Sequence, residues 1–164
     1  MGATLVGLND MSGRNQDGPA RNLRISIVVT LAALTVQGWT GDSVNLFSQF
    51  PNSTVQHSFT GLWSALSTGG PIATYHGIEG LALVALSFLT LLLSFKSSKS
   101  KSVRITSVLA TIAIVSAAIG GVLFVFSGFQ DNGVSSQMGA SFIATYALYF
   151  IEFYYTKPSK LSRV

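Results

Sequence analysis

The chain has 164 residues, of which 48% are hydrophobic and only 10% are charged, with a formal net charge of +4. Because soluble domains usually carry about 25% charged residues, this composition is hard to reconcile with a surface that faces water on all sides. The absence of cysteine excludes disulfides, thiolate metal sites, iron–sulfur clusters and cysteine nucleophiles.

The N-terminal part of the chain, residues 1–23, is polar and contains Pro19 and several glycine, asparagine and aspartate residues, which predicts a flexible tail. Four long apolar segments follow, at residues 25–47, 72–95, 105–129 and 138–155. Because a membrane span needs about 20 apolar residues, we predict an all-α integral membrane protein, a four-transmembrane-helix bundle over residues 24–156. Residues 157–164 would form a second tail.

The ten lysine and arginine residues lie in three parts of the chain: the N-terminal tail, the loop between the second and third spans, and the C-terminal tail. A four-span arrangement puts these three parts on one side of the membrane. The positive-inside rule then places both termini in the cytoplasm of a multi-pass protein of the cell membrane. The basic balance therefore reflects topology, and we expect the lipid bilayer as a partner and no nucleic acid.

The first outer connection, residues 48–71, contains the stretch NSTVQHSFTGLWSALSTGG. Ser53 followed by Gln56 fits a capping box. Five apolar side chains then recur at helical spacing: Val55, Phe59, Leu62, Trp63 and Leu66. These features predict a short amphipathic helix on the outer membrane surface or across the mouth of the bundle. Asn52 begins a glycosylation sequon on the side where such a site can be used.

Polar and small residues recur on one side of each span. In the second span this side carries two ionisable residues, His76 and Glu79, three positions apart near the outer end. The third span offers alanine and glycine residues, which let membrane helices approach closely. We therefore predict that these sides face one another inside the bundle, which lowers the roughly 2.5–3.5 kcal/mol cost of an ionisable group near the bilayer centre.

Two interpretations of His76 and Glu79 are open. Side chains at positions i and i+3 of a helix can meet, and ionisable residues within a membrane are candidates for function. In the functional interpretation, His76 ligates haem iron or another metal while Glu79 orients it, or the two relay protons. In the structural one, they are a buried hydrogen-bonded pair that ties the second span to the first or the fourth.

Three further residues are weighed in the same way. His57 in the outer connection and Met138 at the start of the fourth span are candidate ligands, since haem is also held by histidine with methionine. Solvent exposure and ordinary packing are the alternatives for these two. Glu152, near the inner end of the fourth span, is close in sequence to Lys157, so snorkelling and local pairing would account for it.

The stretch from about Thr35 to Phe95 resembles the four-helix half-module of haem A synthase-type membrane proteins. The first span ends in TVQGWTGD, the outer loop reaches Phe50-Pro51, a short outer helix follows, and His76 lies near the outer end of the second span. The resemblance implies a four-helix bundle in which His76 is a haem ligand and His57 stands for a loop histidine. It also implies contact with haem or quinone.

Three functions are therefore expected. The first is a non-enzymatic redox-accessory protein of electron transport that holds a b-type haem near the outer membrane face, with His76 as one axial ligand. Since the fourth span has no histidine, the second ligand would be His57, Met138 or His76 of the partner subunit in a homo-oligomer. The second is a cofactor-free structural or accessory subunit of a larger membrane complex. The third is a small proton-coupled transporter that uses Glu79 and His76.

Overall fold

The structure, a computed structural model, describes the backbone of residues 6–48, 50 and 55–156, and the side chains of the same residues from Gly18 onward. All the regular structure within these residues is helical. The described residues form five helices: α1 (Val6–Phe47), α2 (Phe59–Thr68), α3 (Pro71–Ser97), α4 (Lys101–Phe126) and α5 (Asn132–Tyr155).

Three of the described helices are long and apolar enough to cross a membrane: α1 over Gly18–Phe47, α3 and α4. The fourth long helix, α5, has 24 residues but falls outside this group, because Glu152, four tyrosines and a polar first turn lower its hydropathy. The prediction of an all-helical protein is confirmed for the described residues, and the three apolar helices support its predicted association with a membrane. The fourth crossing stays a prediction.

The four long helices pack in the cyclic order α1, α3, α4, α5. Contact is most extensive between α4 and α5 and least extensive between α5 and α1, where the ring of helices closes. At this thin seam the Thr35 hydroxyl lies 3.0 Å from the Tyr146 hydroxyl. A Cβ at Gly38 would lie 3.1 Å from the Phe142 ring, so a glycine allows α5 to approach α1 at this point.

The interior of the bundle contains both apolar and polar side chains. The buried apolar residues that pack into one cluster are Leu23, Ile27, Leu34, Leu83, Val103, Ala110, Ile114 and Tyr149. Large apolar side chains such as Leu92 and Ile112 are 68% and 60% exposed. An apolar exterior around a partly polar interior is the opposite of a soluble domain, and it suits helices that face lipid.

The short helix predicted in the first long connection is present as α2, and it lies against the beginning of α3. The Thr74 hydroxyl donates to the Leu66 carbonyl at 3.2 Å, and a Cβ at Gly77 would lie 2.9 Å from the Leu66 side chain. Phe59 and Trp63, which share the helical spacing of Leu66, nevertheless stay exposed. The helix therefore covers one end of α3 and leaves an aromatic surface uncovered.

The helix boundaries differ from the predicted ones at two places. Helix α2 begins at Phe59, and the Ser58 side chain caps it by accepting the Gly61 N–H. The capping box proposed for Ser53 and Gln56 is therefore wrong, since Gln56 precedes the helix. At the other end, Gly70 has a φ of 92°, which glycine adopts readily, and this turns the chain directly into α3.

The second difference concerns the N-terminus. Helix α1 already begins at Val6, so it covers most of residues 1–23, for which the sequence predicts a flexible tail. The division of the chain into tails and a central domain stays a prediction. Residues 1–5, residues 157–164 and the sequon at Asn52 lie outside the described residues.

Candidate functional site

The first turns of α3 carry His76 and Glu79 to the side of the helix that faces α1. Pro71 occupies the first turn of α3, where its missing N–H costs no intrahelical hydrogen bond. His76 follows one and a half turns later, and both ionisable side chains are half-buried. They face α1 at the height of Gln37 and Thr40 along the helix axis.

Both ring nitrogens of His76 are hydrogen-bonded to α1. The Gln37 amide nitrogen lies 3.2 Å from His76 Nε2, and the Thr40 hydroxyl oxygen lies 3.1 Å from His76 Nδ1. An amide nitrogen can only donate, so Nε2 is the acceptor in this arrangement. The ring proton is then on Nδ1, and we infer that it is donated to Thr40.

Thr40 connects His76 to Glu79. Its hydroxyl, which accepts from His76, donates to Glu79 Oε2 at 3.2 Å, with the Gln37 carbonyl at 3.1 Å as a competing acceptor. The resulting chain of donors runs from Gln37 through His76 and Thr40 to Glu79. We call these four residues the His76 cluster. The two ionisable side chains thus meet through a residue of the neighbouring helix.

Glycine residues allow the two helices to approach at the His76 cluster. A Cβ at Gly41 would lie 3.1 Å from His76 Cε1, and a Cβ at Gly80 would lie 3.4 Å from the Gln37 amide nitrogen. Real Cβ atoms seldom approach as closely as the first of these distances, so the imidazole ring packs tightly on the backbone of α1. The Gln37 side-chain oxygen is buried without a hydrogen-bond partner among the described residues.

The other predicted haem ligands lie at other interfaces. His57 is exposed and stacks on Phe126 at the end of α4, with ring centroids 4.7 Å apart. Met138 packs between α5 and α4, since a Cβ at Gly121 would lie 3.6 Å from its sulfur. None of the described contacts joins either residue to His76. Within the described part of the chain, no group of three or more histidine and acidic residues could hold a metal ion.

A second polar cluster lies near the opposite end of the bundle. Its centre is Glu152, which is 0% exposed and accepts a hydrogen bond from the Ser107 hydroxyl at 2.5 Å. The other members are Thr90 and Thr111, whose hydroxyl groups neighbour that of Tyr149. We call these five residues the Glu152 cluster.

Burial of Glu152 contradicts the prediction that it snorkels to the membrane surface. Its predicted partner Lys157 lies outside the described residues, and the carboxyl group points instead to α4. The sequence did carry a signal, because Thr145, Tyr149 and Glu152 recur on one side of α5 and all three are 0% exposed. The spacing identified the buried side of the helix but not the partner on α4.

An apolar layer separates the two clusters. On α1, Leu34 lies between Gln37 and the buried Thr30, and on α3, Leu83 lies between Glu79 and the buried Ser87. Both leucines are almost fully buried, at 1% and 3% exposure. Seven residues of helix rise about 10 Å, and no described hydrogen bond joins the His76 cluster to the Glu152 cluster.

Comparisons with protein-family models, with curated proteins and with solved structures give no match for this chain. A function for this chain is therefore inferred from the geometry of the two clusters and of the helices that hold them.

Proposed function

We propose that this chain is a cofactor-free membrane protein, a structural or accessory subunit of a larger membrane assembly, in which the His76 cluster joins α1 to α3. The observation that supports the proposal best is that both ring nitrogens of His76 are hydrogen-bonded to α1. A haem or metal ligand needs one of these nitrogens for the metal. His76 would have to release Gln37 or Thr40 before it could serve as a ligand.

The energetics favour this structural role for the cluster. An interhelical hydrogen bond within a membrane contributes about 0.6 kcal/mol on average and up to about 1.7 kcal/mol. The His76 cluster has three such bonds between α1 and α3. They stabilise the pairing of the two helices and also fix their axial register, because a shift by one turn would unpair all three.

We propose that α5 also crosses the membrane, as the fourth span of the bundle. Its 24 residues rise about 36 Å, which exceeds the roughly 30 Å thickness of the hydrocarbon core. Its one acidic side chain, Glu152, is turned away from lipid and towards Ser107. The polar groups that lower the hydropathy of α5 therefore do not all face lipid.

The charges support an orientation with both termini in the cytoplasm. The Arg24 guanidinium lies 4.9 Å from the centre of the Phe153 ring, which places the early part of α1 beside the end of α5. Arg104, near the start of α4, donates to the Ser98 carbonyl at 3.0 Å. These cations lie at the same end of the bundle, and the positive-inside rule assigns that end to the cytoplasm.

The absorption spectrum of the detergent-purified protein tests whether a cofactor is bound. We expect no Soret band in the oxidised or the dithionite-reduced protein, before or after incubation with excess haemin. A Soret band that disappears in His76→Ala and persists in the matched variant His57→Ala would contradict the proposal. That result would support the b-type haem hypothesis, and a third variant, Met138→Ala, would then test one of its predicted second ligands.

Membership of an assembly is tested by extracting the affinity-tagged chain from its native membrane with a mild detergent. We expect native mass spectrometry to give complexes that contain further membrane subunits, at masses well above the 17.4 kDa of the chain. A single species with the mass of one chain would contradict the assembly part of the proposal. A species with a whole multiple of that mass would indicate a homo-oligomer instead.

The proton-coupled transporter is the weaker alternative, because the apolar layer formed by Leu34 and Leu83 interrupts the hydrogen bonds between the two clusters. Proton flux in vesicles that contain the purified protein tests it. A flux that is abolished in Glu79→Gln would favour transport over the structural role. We expect no flux above that of protein-free vesicles.

A further inference from the structure

The side chain of Glu152 is the most deeply buried carboxyl group among the side chains that the structure describes, at 0% exposure. One of its oxygens, Oε1, is bonded to the Ser107 hydroxyl at 2.5 Å. The other, Oε2, is buried without a hydrogen-bond partner among the described residues. An ionised carboxylate would therefore leave about half of its negative charge on an oxygen without a donor.

Among the described residues, no cation is hydrogen-bonded to Glu152, since Ser107 holds one oxygen and the other has no partner. On α4, the Arg104 guanidinium donates a hydrogen bond to the Ser98 carbonyl oxygen. On α1, the Arg24 guanidinium lies over the Phe153 ring. On α5 itself, Tyr149 is neutral as a phenol and lies one turn away.

The remaining neighbours of the cluster are hydroxyl groups. Helix α3 contributes Thr90 and helix α4 contributes Thr111, both beside Tyr149. Neither threonine hydroxyl is hydrogen-bonded to Glu152 Oε2, which has no partner among the described residues, so these groups do not balance a full charge. Burial of an unpaired charge costs far more than burial of a neutral hydrogen-bonded group.

We propose that Glu152 is a proton-binding site, a carboxyl group that carries its proton at neutral pH within the bundle. The Ser107 hydroxyl suits both states of such a site, because a hydroxyl can donate or accept. It donates to Oε1 when the carboxylate is ionised. When the proton is bound to Oε1, the direction reverses and the carboxylic acid donates to the serine oxygen. Oε2 is then the carbonyl oxygen of a neutral group.

The position of the site sets the route of the proton. Glu152 lies three residues before Tyr155, the last residue of α5, so less than one helical turn separates it from that end of the helix. The apolar layer of Leu34 and Leu83 lies on the other side, towards the His76 cluster. The proton therefore exchanges through the end of the bundle where α5 finishes, which is the cytoplasmic end in the proposed orientation. The inference does not depend on whether the protein is an accessory subunit.

The experiment uses the fact that Glu79 and Glu152 are the only glutamates of the chain. Glutamate labelled with ¹³C at the side-chain carboxyl gives two carboxyl signals in the purified protein, which Glu79→Gln assigns. We expect the Glu152 signal at the chemical shift of a carboxylic acid at neutral pH, moving to that of a carboxylate only in alkaline buffer. A carboxylate shift for Glu152 at neutral pH would overturn the proposal.

A pair of serine variants tests the role assigned to Ser107. In Ser107→Ala the ionised state loses the one donor found among the described residues, so we expect the titration of the Glu152 signal to move to higher pH. Ser94→Ala is the matched control, because Ser94 is equally buried and its hydroxyl donates only to the Leu91 carbonyl of its own helix. Equal titrations in the two variants would refute the assignment of Ser107.

Discussion

Substitution of Thr40 by valine is the most direct test of the His76 cluster. Thr40 is 3% exposed, and its hydroxyl joins the imidazole at 3.1 Å and the Glu79 carboxyl at 3.2 Å. Valine keeps the size and the branched shape of threonine, so no cavity forms. Two interhelical hydrogen bonds are lost, at about 0.6 to 1.7 kcal/mol each, and we expect the free energy of unfolding to fall by about 1 to 3 kcal/mol.

Reversible unfolding with sodium dodecyl sulfate in mixed micelles, followed by far-ultraviolet circular dichroism, measures this change. Thr145→Val is the control, because Thr145 is 0% exposed and donates to the Ser141 carbonyl of its own helix at 2.8 Å. Loss of such a bond within one helix costs little. A double-mutant cycle with Glu79→Gln isolates the coupling between Thr40 and the carboxyl group. Equal unfolding free energies for the two valine variants would refute the proposal that the His76 cluster joins α1 to α3.

In the same unfolding assay, Gly41→Ala should lower the free energy of unfolding by about 1 to 3 kcal/mol through overpacking, because the new Cβ lies 3.1 Å from the imidazole ring. Gly139→Ala places its new Cβ with nothing within 4 Å, so its free energy of unfolding should not fall and should rise by up to about 1 kcal/mol. Glu152→Gln replaces a neutral acid by a neutral amide of the same shape, so its unfolding free energy at neutral pH should stay within about 1 kcal/mol of the unsubstituted protein; a larger loss would contradict a protonated carboxyl. Because the chain lacks cysteine, Asn52→Cys and Lys99→Cys report topology directly: a membrane-impermeant thiol reagent should label only the first in intact cells, and labelling of both would contradict the four-span arrangement.

The existence of the long helices could be predicted from the sequence because long apolar segments leave few alternatives. The segment predicted at residues 72–95 corresponds to α3, and the one at 105–129 corresponds to α4 with a shift of four residues at its start. The shorter signals were less reliable. Ser58 caps α2 although Ser53 also has a capping pattern, because a single hydrogen bond of the cap is readily outweighed by the packing of the helix on α3.

The partners across helices could not be predicted, because the periodicity of one helix identifies its buried side but not the residue it meets. His76 and Glu79 were expected to meet each other or a residue of another span, and the structure joins them through Thr40. Glu152 shows the same limit, since its buried side followed from the spacing while its bond to Ser107 depends on the axial register of α4 against α5. Register is a property of the assembled bundle.

The layer formed by Leu34 and Leu83 has an electrical consequence. In the proposed four-span arrangement, packed hydrocarbon between two groups of polar side chains would act as the insulating gap of a capacitor, and much of a transmembrane voltage would fall across it. Moving one elementary charge through 100 mV takes about 2.3 kcal/mol, and the two carboxyl groups lie on opposite sides of that gap. In the proposed orientation, Glu152 would therefore equilibrate with the acidity of the cytoplasm and Glu79 with that of the outer side, and a change of voltage would leave both titrations in place.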